Sequence, residues 1–393
     1  MVMRIITRLA GGGPPVHATL LNRYLPAHGF RSLLVYGSCG DAEKNVESLL
    51  LPGEQAEKIP ELGASPSPLH DLIALYKLWL LIRKHRPDIV HTHTAKAGLL
   101  GRLAALMAGC TCIVHTYHGH VLEGYFPSWI SRLLRWTESF MAKGSRALIT
   151  VSAQQANELA ETFRVAEAGK FRVVPLGTQL DPFLEVPAPD WHAPVLKLLW
   201  LGRFVPIKNL PLLLEIAAEC RRLALPVEFC LAGDGPLRHE IVESAQARSL
   251  NNVTFVPWQE DIRPSLAAAH ALIMTSHREG TPLSLIQGMA AGRPFISTPA
   301  GGTVDLGSGL PKLESVRWWY DNAVLVTPQA RAFAETIEGL LARREKLKSM
   351  GASARKFAIQ RYSSERLTVD IAQLYTELLA EKRAFTKTEE VAL

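Results

Sequence analysis

From Met3 onward, short β-branched or aliphatic runs alternate with longer amphipathic segments, and this alternation constrains the fold more than any other feature of the chain. The short runs cover residues 4–9, 32–36, 89–91, 112–115, 147–151 and 172–175, with helical segments such as 69–84, 98–107 and 153–163 between them. Strands separated by helices predict a parallel α/β sheet covered on both faces. The pattern stops at residues 181–194 (DPFLEVPAPDWHAP), where four prolines fall in fourteen residues. Proline at that density suits neither a helix nor a central strand. The alternation then restarts, with strands expected at 195–201, 227–231, 252–256, 271–275 and 295–297 and helices at 210–223, 237–247 and 282–291. Two similar α/β domains follow, 1–183 and 195–360, joined by a Pro-rich linker at 184–194. Residues 361–393 are expected to form a helix packing back toward the first domain, and a tail.

The 393 residues are enough for two or three domains, and 48% hydrophobic with 20% charged residues is an ordinary globular balance. Forty-three basic against 37 acidic residues leave a net charge of +6. That surplus favours phosphate-bearing partners but is too small to argue for nucleic acid. Cys39, Cys110, Cys112, Cys220 and Cys230 form no CxxC pair and no disulfide framework. The opening MVMRIITRLAGGG breaks into glycines too early for a signal peptide, and the most apolar stretch, 69–82, carries Asp71 and Lys77. A cytoplasmic chain is expected.

In open α/β sheets ligands bind beyond the carboxyl ends of the strands, so with two such domains the cleft between them is the expected site. Gly11, Gly12 and Gly13 follow the first strand, with Pro14 and Pro15 opening the next segment. This arrangement lets a ligand approach the backbone and offers helix N–H groups to an anion, although the same residues also make a tight turn. The spacing is not GxGxxG, which counts against a dinucleotide. His91, His93, His115, His118 and His120 gather in HTHT and HTYHGH, but no cysteine or carboxylate joins them at a recognised ligand spacing, so no metal is expected. His118 is better placed as a single polar group in the cleft.

In LGRFVPIKN, Arg203 and Lys208 sit on one strand-to-helix loop, where two cations can neutralise a diphosphate or simply face solvent. HREGTPLSLIQGMAAGRP supplies a further constellation: Thr281 as N-cap, Pro282 as first helical residue, and the free N–H groups of Leu283 and Ser284 for an anion. Glu279 and Gly280 precede that cap, and Gln287 shares a helical face with Leu283. Residues 129–141 (WISRLLRWTESFM) put Trp129, Ile130, Leu133, Trp136, Phe140 and Met141 on one face, opposite Ser131, Arg132, Arg135, Glu138 and Ser139. Such a helix either buries its apolar face in its own domain, the commoner case, or lies on an anionic membrane.

Taken together, ITRLAGGGPPVH, DIVHTHTAKAGLLGRLAA, HTYHGHVLEGYF, VVPLGTQLDPF, LGRFVPIKN, LAGDGP and REGTPLSLIQGMAAGRP resemble family 4 of the retaining glycosyltransferases, especially bacterial members that build surface polysaccharide or lipopolysaccharide. The resemblance spans about residues 4–302. It implies a GT-B fold of two Rossmann-like domains facing each other across a cleft. The second domain would bind a nucleotide sugar, with UDP the expected carrier, and the first would hold a saccharide or lipid-linked acceptor. Arg203 and Lys208 match the pair on the leaving diphosphate, Gly12 and Gly13 the glycine loop near that phosphate, and His118 the histidine beside the donor sugar. Glu279 matches the first acid of the family's E-x7-E motif, while Gly280, Thr281, Pro282, Leu283 and Ser284 would contact sugar or phosphate. No catalytic metal or other cofactor is implied, and peripheral contact with the inner face of the membrane is. Where the motif's second acid is expected, this chain has Gln287, which keeps one oxygen acceptor but loses the charge. Two other readings remain open at this point: a non-hydrolysing nucleotide-sugar epimerase, and a silent partner-binding protein of the same fold.

Overall fold

The computed structural model describes residues 1–40, 43, 45–63, 65–119 and 127–391, with 382–391 as helical backbone alone. The chain forms two units, Met1–Thr178 with Ser364–Leu393, and Gln179–Ser363.

The first unit is built on a seven-stranded parallel sheet. Its spatial order is Ala56–Lys58, Ser32–Tyr36, Val2–Ile6, Ile89–His93, Ile113–Tyr117, Ala147–Thr150 and Phe171–Val173. The three middle strands are buried along their whole length. Alternation then decides which side chain meets which helix. Met3, Ile5, Val90 and Ile113 join Ala74 and Leu78 of helix Pro68–His85 and Ala97 and Leu100 of helix Ala95–Met107. On the opposite face Val2, Ile89 and Val114 join Leu21 of helix Gly13–Tyr24 and Leu367, Ile371 and Tyr375 of helix Ser364–Val391.

The second unit holds an eight-stranded sheet, ordered Val253–Val256, Val227–Ala232, Leu196–Leu201, Ala271–Met274, Phe295–Ser297, Ala323–Val326, Arg317–Trp319 and Lys312–Glu314. All its pairings are parallel except those of the last two strands, which run antiparallel at one edge. Leu196, Leu198 and Trp200 pack with Leu213, Ile216 and Ala217 of helix Leu210–Arg222 and with Phe333 and Ile337 of helix Ala330–Leu341.

The changeover between units differs from the sequence expectation. It falls at Thr178/Gln179 rather than after 183, and the return falls at Ser363/Ser364. The Pro-rich stretch 184–194 is part of the second unit. Its prolines offer no N–H, but their stretch keeps its carbonyl acceptors. Those of Leu184, Pro187, Asp190 and Ala193 are taken by Arg355, by Arg293 (2.7 Å), by His270 Nε2 (2.9 Å) and by Arg344 (3.3 Å). Arg293 is fully buried, so the Pro187 carbonyl also helps satisfy a guanidinium that water cannot reach. No helix among the described residues is long and apolar enough to cross a membrane.

Candidate functional site

In the second unit the carboxyl ends of strands Leu196–Leu201, Val227–Ala232 and Ala271–Met274 open into three adjacent loops. Gly233 and Gly235 adopt φ values of 148° and 150°, and a Cβ at Gly233 would stand 1.9 Å from the Gly202 carbonyl oxygen. Only glycine lets that loop lie against Gly202–Phe204. Arg203 is exposed on this strand end.

Lys208 closes the short turn Pro206–Lys208, and Asn209, at φ 48°, redirects the chain into helix Leu210–Arg222. Two hydrogen bonds stitch the turn to the loop after Met274: Thr275 Oγ1 donates to the Lys208 carbonyl (3.1 Å) and His277 N–H to that of Ile207 (2.9 Å). Lys208 Nζ therefore reaches Glu279 Oε1 at 2.6 Å, and Ser276 Oγ donates to the same oxygen at 2.5 Å. The side chains of Lys208 and Glu279 are only 18% and 10% exposed. Lys208, expected on a diphosphate, and Glu279, expected on a sugar, are thus each other's partners here. The ammonium keeps two further N–H donors.

Gly301 and Gly302 make this arrangement possible, and the motif reading of the sequence passed over both. A Cβ at either would stand 2.2 Å from the Glu279 carbonyl oxygen or 1.6 Å from that of Gly280, and Gly302 N–H donates to Glu279 O at 3.1 Å. Helix Leu283–Ala290 begins one residue later than expected. Pro282 is its N-cap, and Thr281 Oγ1 is buried with no hydrogen bond among the described residues rather than capping it. The Pro282 carbonyl accepts from Leu285 and Ile286, which leaves the N–H groups of Leu283 and Ser284 leading the helix. Gln287 lies one turn further on, partly buried, and Gly288 packs so closely on Leu272 that a Cβ would stand 2.0 Å from its Cδ1.

In the first unit, Gly12 caps helix Gly13–Tyr24 at φ 144°, with Pro14 and Pro15 in the first turn and Gly11 and Gly12 exposed. The histidines do not form the single group that HTHT and HTYHGH suggest. His91 and His93 share one face of their strand, whereas His115 points to the other, where its Nδ1 meets Thr92 Oγ1 at 2.8 Å. Gly98 makes room for that ring: a Cβ there would come within 2.5 Å of it. His91 is bonded at both nitrogens, to Tyr375 Oη (2.5 Å) and Thr116 Oγ1 (2.7 Å). His93 Nδ1 meets His118 Nε2 at 3.0 Å, and His17, from the glycine-capped helix, completes a cluster with these two. Burial holds all five rings below the usual histidine range, His118 at about 3. His120 and the rest of HTYHGHVLEGYF beyond Gly119 lie outside the described residues.

Helix Ser128–Gly144 is oriented opposite to the commoner expectation. Trp129, Leu133, Trp136 and Phe140 are exposed, and Ser131, Glu138, Met141 and Ala142 are buried. The reason is Glu138, whose Oε2 accepts from Arg102 Nη2 and from Tyr117 Oη, each at 2.7 Å. Arg102 is fully buried, so its partner must face inward, and the helix turns with it. A depression of about 690 Å³ in the same unit is lined by polar groups that include Ser38, Glu43, Glu61, His70 and Lys96.

Residues 11–181 match the family described as Glycosyltransferase Family 4, and residues 196–343 that described as Glycosyl transferases group 1. The chain belongs to glycosyltransferase family 4. A similar curated relative is the UDP-Gal:alpha-D-GlcNAc-diphosphoundecaprenol alpha-1,3-galactosyltransferase of Escherichia coli. It is 30% identical over 257 residues, which are 62% of this chain and 66% of the relative. The Staphylococcus aureus capsular polysaccharide biosynthesis glycosyltransferase CapM is 24% identical over 79% of this chain and 82% of its own. Among solved structures, Anabaena HepE in complex with UDP superposes with a TM-score of 0.75 at 19% identity, over 96% of this chain and 99% of that one. Sucrose-phosphate synthase of Thermosynechococcus elongatus gives 0.78 at 21%, over 97% and 100%. At these identities the likeness establishes the fold, which for this glycosyltransferase is GT-B.

Proposed function

We propose that this glycosyltransferase moves a sugar from a UDP-sugar to a lipid-linked saccharide, with retention of configuration, in the synthesis of surface polysaccharide or lipopolysaccharide. The observation that carries the reading is the Lys208–Glu279–Ser276 constellation beside the leading N–H groups of helix Leu283–Ala290. The E. coli relative's name pairs a UDP-sugar donor with a diphosphoundecaprenol-linked acceptor, which supports the choice of substrates.

In this reading the bond between the anomeric carbon and the phosphate oxygen lengthens first. Negative charge grows on the departing diphosphate, and groups fixed for that charge lower the barrier more than groups that only bind. Lys208, Arg203 and the N–H groups of Leu283 and Ser284 take that role, so the leaving group is neutralised by protein cations rather than a catalytic metal. Glu279, with the backbone of Gly280, Thr281 and Pro282, receives sugar hydroxyls, and Gln287 the ribose. His118, Gly12 and Gly13 keep the roles that the family resemblance implies. The acceptor's lipid would draw the enzyme to an anionic membrane through the outward stripe Trp129, Leu133, Trp136 and Phe140, flanked by Arg132 and Arg135.

Thermal stabilisation against UDP, GDP, ADP, TDP and their common sugar conjugates tests the donor. A ligand at 100 times its Kd stabilises the fold by about 2.7 kcal/mol, so a shift selective for uridine conjugates is expected. No shift with any of them overturns the reading, and an altered stereocentre in the donor without transfer replaces it with epimerisation.

A further inference from the structure

We infer that the first unit carries a binding site for a divalent transition-metal ion, zinc above all, formed by His17, His93 and His118. Three elements converge there: His17 from helix Gly13–Tyr24, His93 from the end of strand Ile89–His93, and His118 from just beyond strand Ile113–Tyr117. One ligand nitrogen from each lies within 4.8 Å of the others. The ring centroids are 4.9–5.5 Å apart.

The contrast with neighbouring histidines separates this cluster from ordinary core packing. His91 has a partner at each nitrogen, and His115 Nδ1 has Thr92. Among the described residues, only the His93–His118 bond is made in the cluster, and both nitrogens of His17, Nε2 of His93 and Nδ1 of His118 are buried with no hydrogen bond. His17 and His93 are fully buried, and a buried polar group left unpaired costs about 1–3 kcal/mol. An ion held by one nitrogen of each ring takes up an unpartnered lone pair of His17 and replaces the single His93–His118 bond with coordination.

The donor chemistry selects the ion. Neutral imidazole suits zinc, copper and nickel. Magnesium and calcium need oxygen ligands, and no carboxylate belongs to the cluster among the described residues. Arg4 acts on His17 and His93, and Arg366 on His17, and both raise the cost of any cation, which further excludes ions that bind imidazole weakly. Two nitrogens on one tetrahedral zinc, each about 2.0–2.1 Å from the metal, lie roughly 3.3 Å apart. The 3.0 Å between His93 Nδ1 and His118 Nε2 is close to that spacing, so small ring rotations suffice. Three protein nitrogens leave a fourth position for an oxygen ligand.

The site stands on the first unit alone and does not presume the transfer reaction. Because His118 is also the ring proposed at the donor sugar, metal binding itself is the readout. Chelator-stripped protein is titrated with Zn2+ by calorimetry and with Co2+ by visible absorption. One ion per chain is expected, with the intense cobalt bands of a tetrahedral site. His17→Ala and His93→Ala should each weaken binding more than about 10-fold, beyond the smallest loss typical of residues that only support a ligand. His17→Gln, which keeps the side chain's bulk, should do the same if the alanine variant does not fold, and His239→Ala on the surface should change nothing. Absence of saturable binding, octahedral cobalt spectra, or wild-type affinity in the His17 and His93 variants would overturn the assignment. So would loss of binding in His239→Ala, or saturation by Mg2+ at the same stoichiometry.

Discussion

In chelator-stripped protein, lowering the pH from 7 to 5 perturbs the first unit through its four fully buried imidazoles, His17, His91, His93 and His115. Burial depresses the pKa of each in the folded state, whereas the unfolded chain titrates near 6.5. Between those values the unfolded state binds protons that the folded state refuses. Stability is therefore fully present above about pH 6.5 and is lost as the pH falls below it. A ring that stays neutral in the fold forfeits about 1.9 kcal/mol between pH 7 and pH 5, and the four together forfeit at most about 8 kcal/mol. Against a typical total of about 5–15 kcal/mol, that loss is a large fraction of the unit's stability. The second unit holds one such ring among its described residues, His270, and should outlast the first. Urea unfolding across this pH range, followed by hydrogen exchange of the segment Ile89–His93, measures the effect. His115→Gln should remove one ring's share of the pH dependence, whatever it costs at pH 7. Stability at pH 5 within about 1 kcal/mol of that at pH 7 would refute the claim that these rings are held neutral.

Three further outcomes follow from particular contacts. Glu138→Ala strands Arg102 as a buried charge and should cost about 3–5 kcal/mol in urea unfolding, with Glu138→Gln costing less because it keeps an acceptor; a loss under about 1 kcal/mol would show that helix Ser128–Gly144 is not anchored this way. Gln287→Glu should tighten UDP-sugar binding in calorimetric titration, and unchanged or weaker affinity would remove the ribose contact. Arg132→Glu combined with Arg135→Glu should abolish sedimentation with anionic vesicles, and a wild-type protein that ignores such vesicles would end the membrane proposal.

The parallel sheets were legible because their middle strands are buried on both faces and read as short apolar runs. Ser32–Tyr36 and Phe295–Ser297 coincide with the expected bounds. Ala56–Lys58 and Lys312–Glu314 were not expected, since three-residue edge strands with exposed side chains carry no hydrophobic period. For the helix at 128–144 the sequence left open which side turns inward. Periodicity grouped Trp129, Leu133, Trp136 and Phe140 correctly but sorted Met141 and Arg132 to the wrong sides, and the inward side depends on Arg102, 36 residues before Glu138, and on its need for that carboxylate. The histidine cluster shows the same limit. Spacing grouped His115 and His118, while the pleat separates them, and His17 enters from an element with no motif in common. Around Glu279 the motif residues stood out in sequence, but the backbone contacts that require Gly301 and Gly302 appear only when the loops are folded.

The central claim is that Lys208 stabilises charge on a departing diphosphate. Turnover of Lys208→Ala with a saturating UDP-sugar and lipid-linked acceptor tests it most directly, with unfolding checked in parallel because the variant also leaves Glu279 without its cation. Loss of one charge-stabilising donor should lower kcat by about 100-fold or more in a protein that remains folded. A folded Lys208→Ala enzyme with near wild-type kcat would contradict the account.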